Sequence, residues 1–424
     1  MSGLGQGSFM TQPVPELHAL SERAKTLPGS PIRALLSGRS DGSVLDLGGG
    51  WPDPALFPSE QLAAVAEVVA RGAEQSLQYA PTEGLEPLRA FIVERLRSRG
   101  CCVSVDQVLL THGSQQALYT AAALLTSRTQ PVALEQPGYP GAEQAFALAE
   151  APIVALPVTH DGWELDALRD RTPGALYVIP NHQNPTGRSA NGERCSELVR
   201  FAERCGAFVI EDDAYGELAF DGRPARPLWA ELPTRGILLG TFSKTLCPGL
   251  RIGWMVAPRE LVEPLVRLLQ ASSLQAGTLA QHLACGLLER LDWEAHLGRL
   301  RRAYARRAQA LEQACRTIGY DASVPRGGFF LWLDAQGDAT ALARRAAARG
   351  VLAVPERAFR HAGCRGPDRH LRLAFSRFDD TSEARERLRK GLCPSGCPSE
   401  ARHGAVAPDL ALGRPGPLTS PQTR

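Results

Sequence analysis

The chain has 424 residues, with 47 Lys+Arg against 45 Asp+Glu and a formal net charge of +2. That balance excludes a bulk nucleic-acid binder, which needs a concentrated basic surface. At 44% hydrophobic and 22% charged, the composition is that of a globular protein with ample core, in one large domain or two modest ones. Only three of the basic residues are lysines: Lys25, Lys244 and Lys390. Arginine replaces lysine as a charge but not as a titrating amine. Codon bias accounts for the scarcity; it does not account for where the survivors stand.

In chain order, residues 1–45 read as loop with short helical stretches. Residues 60–71 and 85–99 have the periodicity of amphipathic helices. Seven short apolar runs then alternate with helical segments such as 114–126 and 192–204: 108–112, 131–136, 153–158, 175–180, 207–212, 237–243 and 253–258. Most are apolar throughout, which suits strands covered on both faces. The alternation predicts a doubly wound α/β fold on a seven-stranded, mainly parallel sheet. Residues 259–316 read as long helix. Residues 327–334, 351–356 and 370–376 read as strands of a smaller α+β unit. From Gly391 to Arg424 there are six prolines and little periodicity, which reads as a disordered tail.

No run of 18 apolar residues predicts a membrane span, and the N-terminus lacks the pattern of a secretory signal. The ten cysteines are scattered. Together these features predict a reduced, cytoplasmic protein. Cys393 and Cys397, in CPSGC, lack the partner ligands of a zinc site.

Ligands of an open α/β sheet sit beyond the carboxyl ends of its strands, so the residues after each run matter most. The first run leads into GSQQAL (113–118), a glycine and a hydroxyl opening a helix, as an anion site requires. The second leads to Tyr139, the fourth to NHQNPTG (181–187), and the fifth to EDDAY (211–215). The sixth leads to TFSKTLCPGLRIG (241–253). There Lys244 stands beside Thr241 and Ser243, with Arg251 seven residues on. A lysine so placed can hold a phosphate or serve as an amine nucleophile, provided that it is partly neutral.

With LQYAPTEGLEPLR (77–89), GGFFLWL (327–333) and LRLAFS (371–376), these stretches resemble the fold-type-I pyridoxal-phosphate enzymes. The resemblance is to class I/II aminotransferases, in the branch of the kynurenine and 2-aminoadipate aminotransferases. It runs in the family's order over residues 50–376. It implies a large cofactor-binding domain (59–295), a small C-terminal domain (296–390), and an N-terminal arm with part of the small domain (1–58). It also implies pyridoxal 5'-phosphate as cofactor and a homodimer with shared active sites.

The resemblance assigns roles as well. Lys244 forms the Schiff base and shuttles the proton; Asp212 pairs with the pyridine nitrogen. Asn184 and Tyr215 bond the ring's phenolic oxygen, and Tyr139 stacks on the ring. Ser114, Gln115, Ser243 and Arg251 hold the phosphate, joined by Tyr79 of the partner subunit. Arg372, framed by leucines, needs a bidentate anion to offset its burial; the resemblance supplies the substrate α-carboxylate, with Gly48 and Gly49 closing over it through their amides. Asn184–Pro185 is expected cis.

Departures from the family pattern fall at Thr241, Ala80 and His182. The last reads as a loop histidine or a substrate contact. Transfer of an amino group from an L-amino acid to a 2-oxo acid is the activity implied. C–S β-elimination and decarboxylating or oxidative deamination use the same fold. The effector domain of a transcription factor is the reading from another class, and the segment before residue 46 lacks a recognition-helix pattern for it.

Overall fold

All seven apolar runs between residues 108 and 258 are strands of one sheet in the computed structural model, which describes residues 21–36, 44–361, 364 and 366–393. The strands of the chain are β1 (Leu45–Asp46), β2 (Val108–Thr111), β3 (Val132–Gln136), β4 (Ile153–Pro157), β5 (Ala175–Val178), β6 (Phe208–Asp212), β7 (Gly236–Thr241), β8 (Gly253–Val256), β9 (Phe330–Asp334), β10 (Val351–Leu352), β11 (Val354–Pro355) and β12 (His370–Ala374). The large sheet has the order β2-β8-β7-β6-β5-β3-β4. Its pairs are parallel except those of β8, which is antiparallel to both neighbours. The reason is the connection. Between β7 and β8 lie only eleven residues, 242–252, whose one helical piece is the turn Pro248–Leu250 before Arg251 at φ 54, and a parallel pair needs a crossover of a dozen or more residues, usually an α-helix.

The continuous apolarity of the strands follows from burial on both faces. Leu109, Leu134, Tyr177, Ile210 and Leu239 pack with helices Ser114–Leu125, Pro140–Leu148 and Arg259–Ser273. On the opposite face, Leu176, Val178 and Val209 meet helix Gly192–Cys205, while Val108, Leu110 and Leu238 meet helices Glu86–Ser98 and Trp293–Thr317.

The segment read as one long helix is three: Arg259–Ser273, Thr278–Arg290 and Trp293–Thr317. Leu274, at φ 62, ends the first. The Asp292 side chain caps the third by accepting from the Ala295 amide at 3.0 Å, a local bond that competes with helix continuation. None of the described helices is long and apolar enough to cross a membrane.

A three-stranded antiparallel sheet, β11-β12-β9, and the parallel pair β1-β10 form the smaller sheets. Pairing with β10 ties the N-terminal segment to the C-terminal third. Helix Ser382–Leu392 runs two residues into the stretch read as tail, and Leu392 is buried; from residue 394 that stretch, Cys397 included, lies outside the described residues.

Candidate active site

The predicted residues from β2, β3, β5, β6 and β7 gather at the carboxyl ends of those strands. At the end of β2, Gly113 at φ 76 precedes helix Ser114–Leu125. A Cβ on Gly113 would lie 2.5 Å from the Arg251 guanidinium, and one on Gly253 would fall among the Gly113 and Ser114 backbone atoms. These two glycines therefore let Arg251 and β8 close onto a helix N-terminus, where amides and a guanidinium face the same space. Thr241 donates to Ser243 Oγ at 2.9 Å and accepts from the Ser243 amide at 3.1 Å. Such a cradle suits a phosphate. Gln115 accepts from the Tyr139 hydroxyl at 3.1 Å and donates to the Gly141 carbonyl at 2.7 Å, so Tyr139 is tied to the same cradle.

Lys244 extends from β7 into an aromatic enclosure. Its Nζ lies 5.8 Å from the Tyr215 ring centre and 5.6 Å from that of Phe329, and donates to the Gly50 carbonyl at 2.9 Å. Burial, aided by the Arg372 charge, lowers its pKa to about 8, against the pull of Asp212. A neutral amine is thus accessible near physiological pH. Asp212 is buried at the end of β6, and desolvation raises its pKa to about 6. Its Oδ2 accepts from Tyr177 at 2.8 Å, while Oδ1 is buried with no hydrogen-bond partner among the described residues. A buried carboxylate oxygen left so is costly. A protonated ring nitrogen would satisfy it, and so the site fits pyridoxal phosphate at both ends. Burial also raises the Tyr215 hydroxyl above its ordinary range.

Arg372 on β12 is 1% exposed. Its guanidinium lies 4.4 Å from the Phe330 ring centre and 4.8 Å from that of Phe359. Nη1 donates to Asn184 Oδ1 at 2.8 Å and Nη2 to the Gly48 carbonyl, while Nε has no partner among the described residues. Desolvation lowers its pKa to about 10. A buried cation close to two rings, with its Nε bonded to no described residue, awaits an anion.

Two expectations need correction or extension. The Gly48 and Gly49 amides are already engaged within their own turn. Both donate to Asp46 Oδ1, at 2.9 and 3.1 Å, in a side-chain-capped turn of the kind Asp favours. It is the Gly48 carbonyl that meets Arg372. Tyr79 is 77% exposed and is not gathered with the others within one chain. Asn184–Pro185 is cis, as is Gln136–Pro137. The His182 ring is buried against Gly327 and Gly328, 3.3 Å from Ser189 Oγ; desolvation lowers its pKa to about 4, which suits a packed loop histidine. Sequence reading missed Tyr177, Glu135, Gln183 and the buried Arg99–Asp213 ion pair at 2.5 Å. The signal available for Tyr177 was a hydroxyl inside an otherwise apolar strand, since such a group needs a partner.

The family model for aminotransferase class I and II matches residues 44–388. The chain belongs to this family. The aminotransferase is 36% identical over 385 residues to the 2-aminoadipate transaminase of Thermus thermophilus, covering 87% of this chain and 94% of that one. It is 33% identical to aromatic-amino-acid aminotransferase 1 of Thermococcus litoralis, covering 88% and 92%. The solved structure of the T. thermophilus α-aminoadipate aminotransferase LysN, complexed with N-(5'-phosphopyridoxyl)-L-leucine, superposes with a TM-score of 0.79 at 36% identity, covering 88% of this chain and 95% of that one. The helix-turn-helix regulator YisV of Bacillus subtilis matches over only 64% of its own length. The protein is a pyridoxal-phosphate-dependent transferase of the aminotransferase type.

Proposed function

We propose that the residues gathered around Lys244 transfer an amino group from an L-amino acid to a 2-oxo acid, with 2-oxoglutarate or a similar acid as acceptor. The observation that carries this reading is the convergence on one space of a depressed lysine, the unsatisfied Asp212 oxygen and the buried Arg372. Pyridoxal phosphate, when bound, supplies an aldehyde carbon for a Schiff base and a ring that accepts electron density. Ser114, Gln115, Ser243 and Arg251 would hold its phosphate, joined by Tyr79 of the partner subunit. Asp212 would keep the ring nitrogen protonated, and Asn184 and Tyr215 would bond the phenolic oxygen. Tyr139, tied to the same cradle through Gln115, would pack against the ring. Lys244 Nζ would take the proton from the substrate α-carbon and deliver it to the former aldehyde carbon of the cofactor. Arg372 grips the α-carboxylate and so fixes the direction of that C–H bond, a positioning contribution.

The exposed Tyr79 and the neighbouring Leu77, Leu274 and Leu279 support a homodimer with shared sites. The two smaller sheets, with their helices, support a small domain over residues 296–390 joined by part of 1–58, beside a large one over 59–295. We place the enzyme in the cytoplasm. The named relatives set the first donors to try: 2-aminoadipate and aromatic amino acids. A donor panel with 2-oxoglutarate, read as glutamate formed, tests the proposal. Pyruvate and ammonia released without glutamate would assign the site to elimination instead. Lys244→Ala is expected to abolish the reducible covalent link to the cofactor.

A further inference from the structure

The loop that carries Asn184 is held at both shoulders by buried carboxylates from the strands on either side. In the sheet, β5 lies between β3 and β6, and the loop 181–187 follows β5. From the β3 side, Glu135 Oε2 accepts from Gln183 Nε2 at 3.0 Å. Its Oε1 accepts from Trp163 Nε1 at 2.7 Å and the Ile179 amide at 2.9 Å. Gln183 also donates to the Pro137 carbonyl at 2.9 Å, and accepts from the Thr186 amide and hydroxyl at 2.9 and 2.8 Å. From the β6 side, Asp213 Oδ1 accepts from Asn181 Nδ2 at 3.0 Å, and Arg99 neutralises Oδ2. Glu135, Gln183, Asn181 and Asp213 are all buried. The end of β3 also reaches across to the Arg372 side. The Glu135 carbonyl lies 2.8 Å from His361 Nε2, and the Gly138 amide donates to the carbonyl of Phe359, whose ring lies over Arg372.

We infer that Glu135, acting through Gln183, is a positioning residue for carboxylate recognition: it sets Asn184 Oδ1 against Arg372 Nη1 and thereby fixes the plane of the guanidinium. A buried acid is an expensive way to hold a loop. Its use here follows from the donor count: three N–H groups converge on one side chain, and a carboxylate offers acceptors only. Glutamine at 135 has the same shape but turns an N–H toward the N–H of Gln183. The loop must then shift or Gln183 must flip, and flipping strips Thr186 of its acceptor.

The inference rests on Arg372 gripping the α-carboxylate. The test uses the holoenzyme, with two readouts besides turnover: calorimetric titration of 2-oxoglutarate into the pyridoxal form, where it binds without reacting, and thermal melting as the measure of stability. Glu135→Gln is expected to raise the donor KM and the 2-oxoglutarate Kd about tenfold, the worth of one hydrogen bond, with kcat changed less. The double variant Glu135→Gln with Gln183→Glu exchanges donor and acceptor within the pair, at the cost of the bond to Pro137. It is expected to recover most of that loss. A Glu135→Gln enzyme with unchanged KM and Kd overturns the inference. So does a loss that the double variant does not repair while both melt equally early. Arg372→Ala separates the two levels: if it leaves 2-oxoglutarate affinity intact, the carboxylate reading fails with the inference. If it weakens binding while Glu135→Gln does not, the inference alone fails.

Discussion

Tyr177→Phe removes the phenolic donor to Asp212 and little else, because the ring stays packed against Phe146, 6.2 Å away. The bond is 2.8 Å long and wholly buried. A hydrogen bond to a charged group is worth about 1.5–3 kcal/mol, and one pKa unit about 1.4, so the loss raises the Asp212 pKa by roughly one to two units. The native value is already about 6; the variant should titrate one to two units higher. At pH 7 the ionised fraction then falls from roughly nine-tenths to between one-half and one-tenth. Only the ionised form can pair with a protonated ring nitrogen. Titrating pyridoxal phosphate into cofactor-free protein between about pH 5 and 9 reads this directly. The wild-type affinity should fall below about pH 6, and that of the variant should begin to fall one to two units higher. Superimposable pH profiles, or a loss of affinity independent of pH, would refute the electrostatic role.

Asp212 also costs the cofactor-free fold stability. Its raised pKa means that the native state binds more protons than the unfolded chain between about pH 4 and 6, so stability falls as pH rises through that window. Asp212→Asn should therefore melt higher than wild type at neutral pH, by up to roughly 3 kcal/mol, and show no advantage near pH 4. Saturating cofactor should erase the gain; a variant that melts lower at neutral pH without cofactor would contradict this. Arg372→Lys keeps the charge but loses the fork that meets Asn184 and Gly48. Its donor KM should rise about thirtyfold or more, for a loss of about 2 kcal/mol or above, with the cofactor absorbance unchanged; an unaltered KM would count against the carboxylate role. Mixed dimers of Lys244→Ala with Tyr79→Ala should contain one intact site per pair, so refolding the two together should exceed the average activity of the parents. Activity no better than that average would place Tyr79 outside the shared site.

Much of the site was legible in the chain because its chemistry is local. The hydroxyl pair, lysine and arginine of 241–251 need only a turn after β7 to come together, and the glycine and serine at 113–114 need only a helix start. Lys244 is the clearest case: in a chain nearly stripped of lysine, arginine could not have supplied a Schiff-base amine there. The Gly48 and Gly49 amides were misread for a local reason too. The nearest acceptor, Asp46, was two residues away and took them both.

The sequence by itself determined the seven buried strands, their alternation with helices and the identity of the chemical groups at their ends. Apolar runs record burial on two faces, and burial is what they predict. They do not record direction, so the antiparallel course of β8 emerged only from the tertiary structure. The same holds for the partners that tune the groups. Tyr177 reaches Asp212 across 35 residues, Gln183 reaches Glu135 across 48, and Asn184 reaches Arg372 across 188. No local window contains such pairs. They exist because neighbouring strands of one sheet, and a second sheet packed beside it, bring distant side chains within 3 Å in a space where water cannot compete for them.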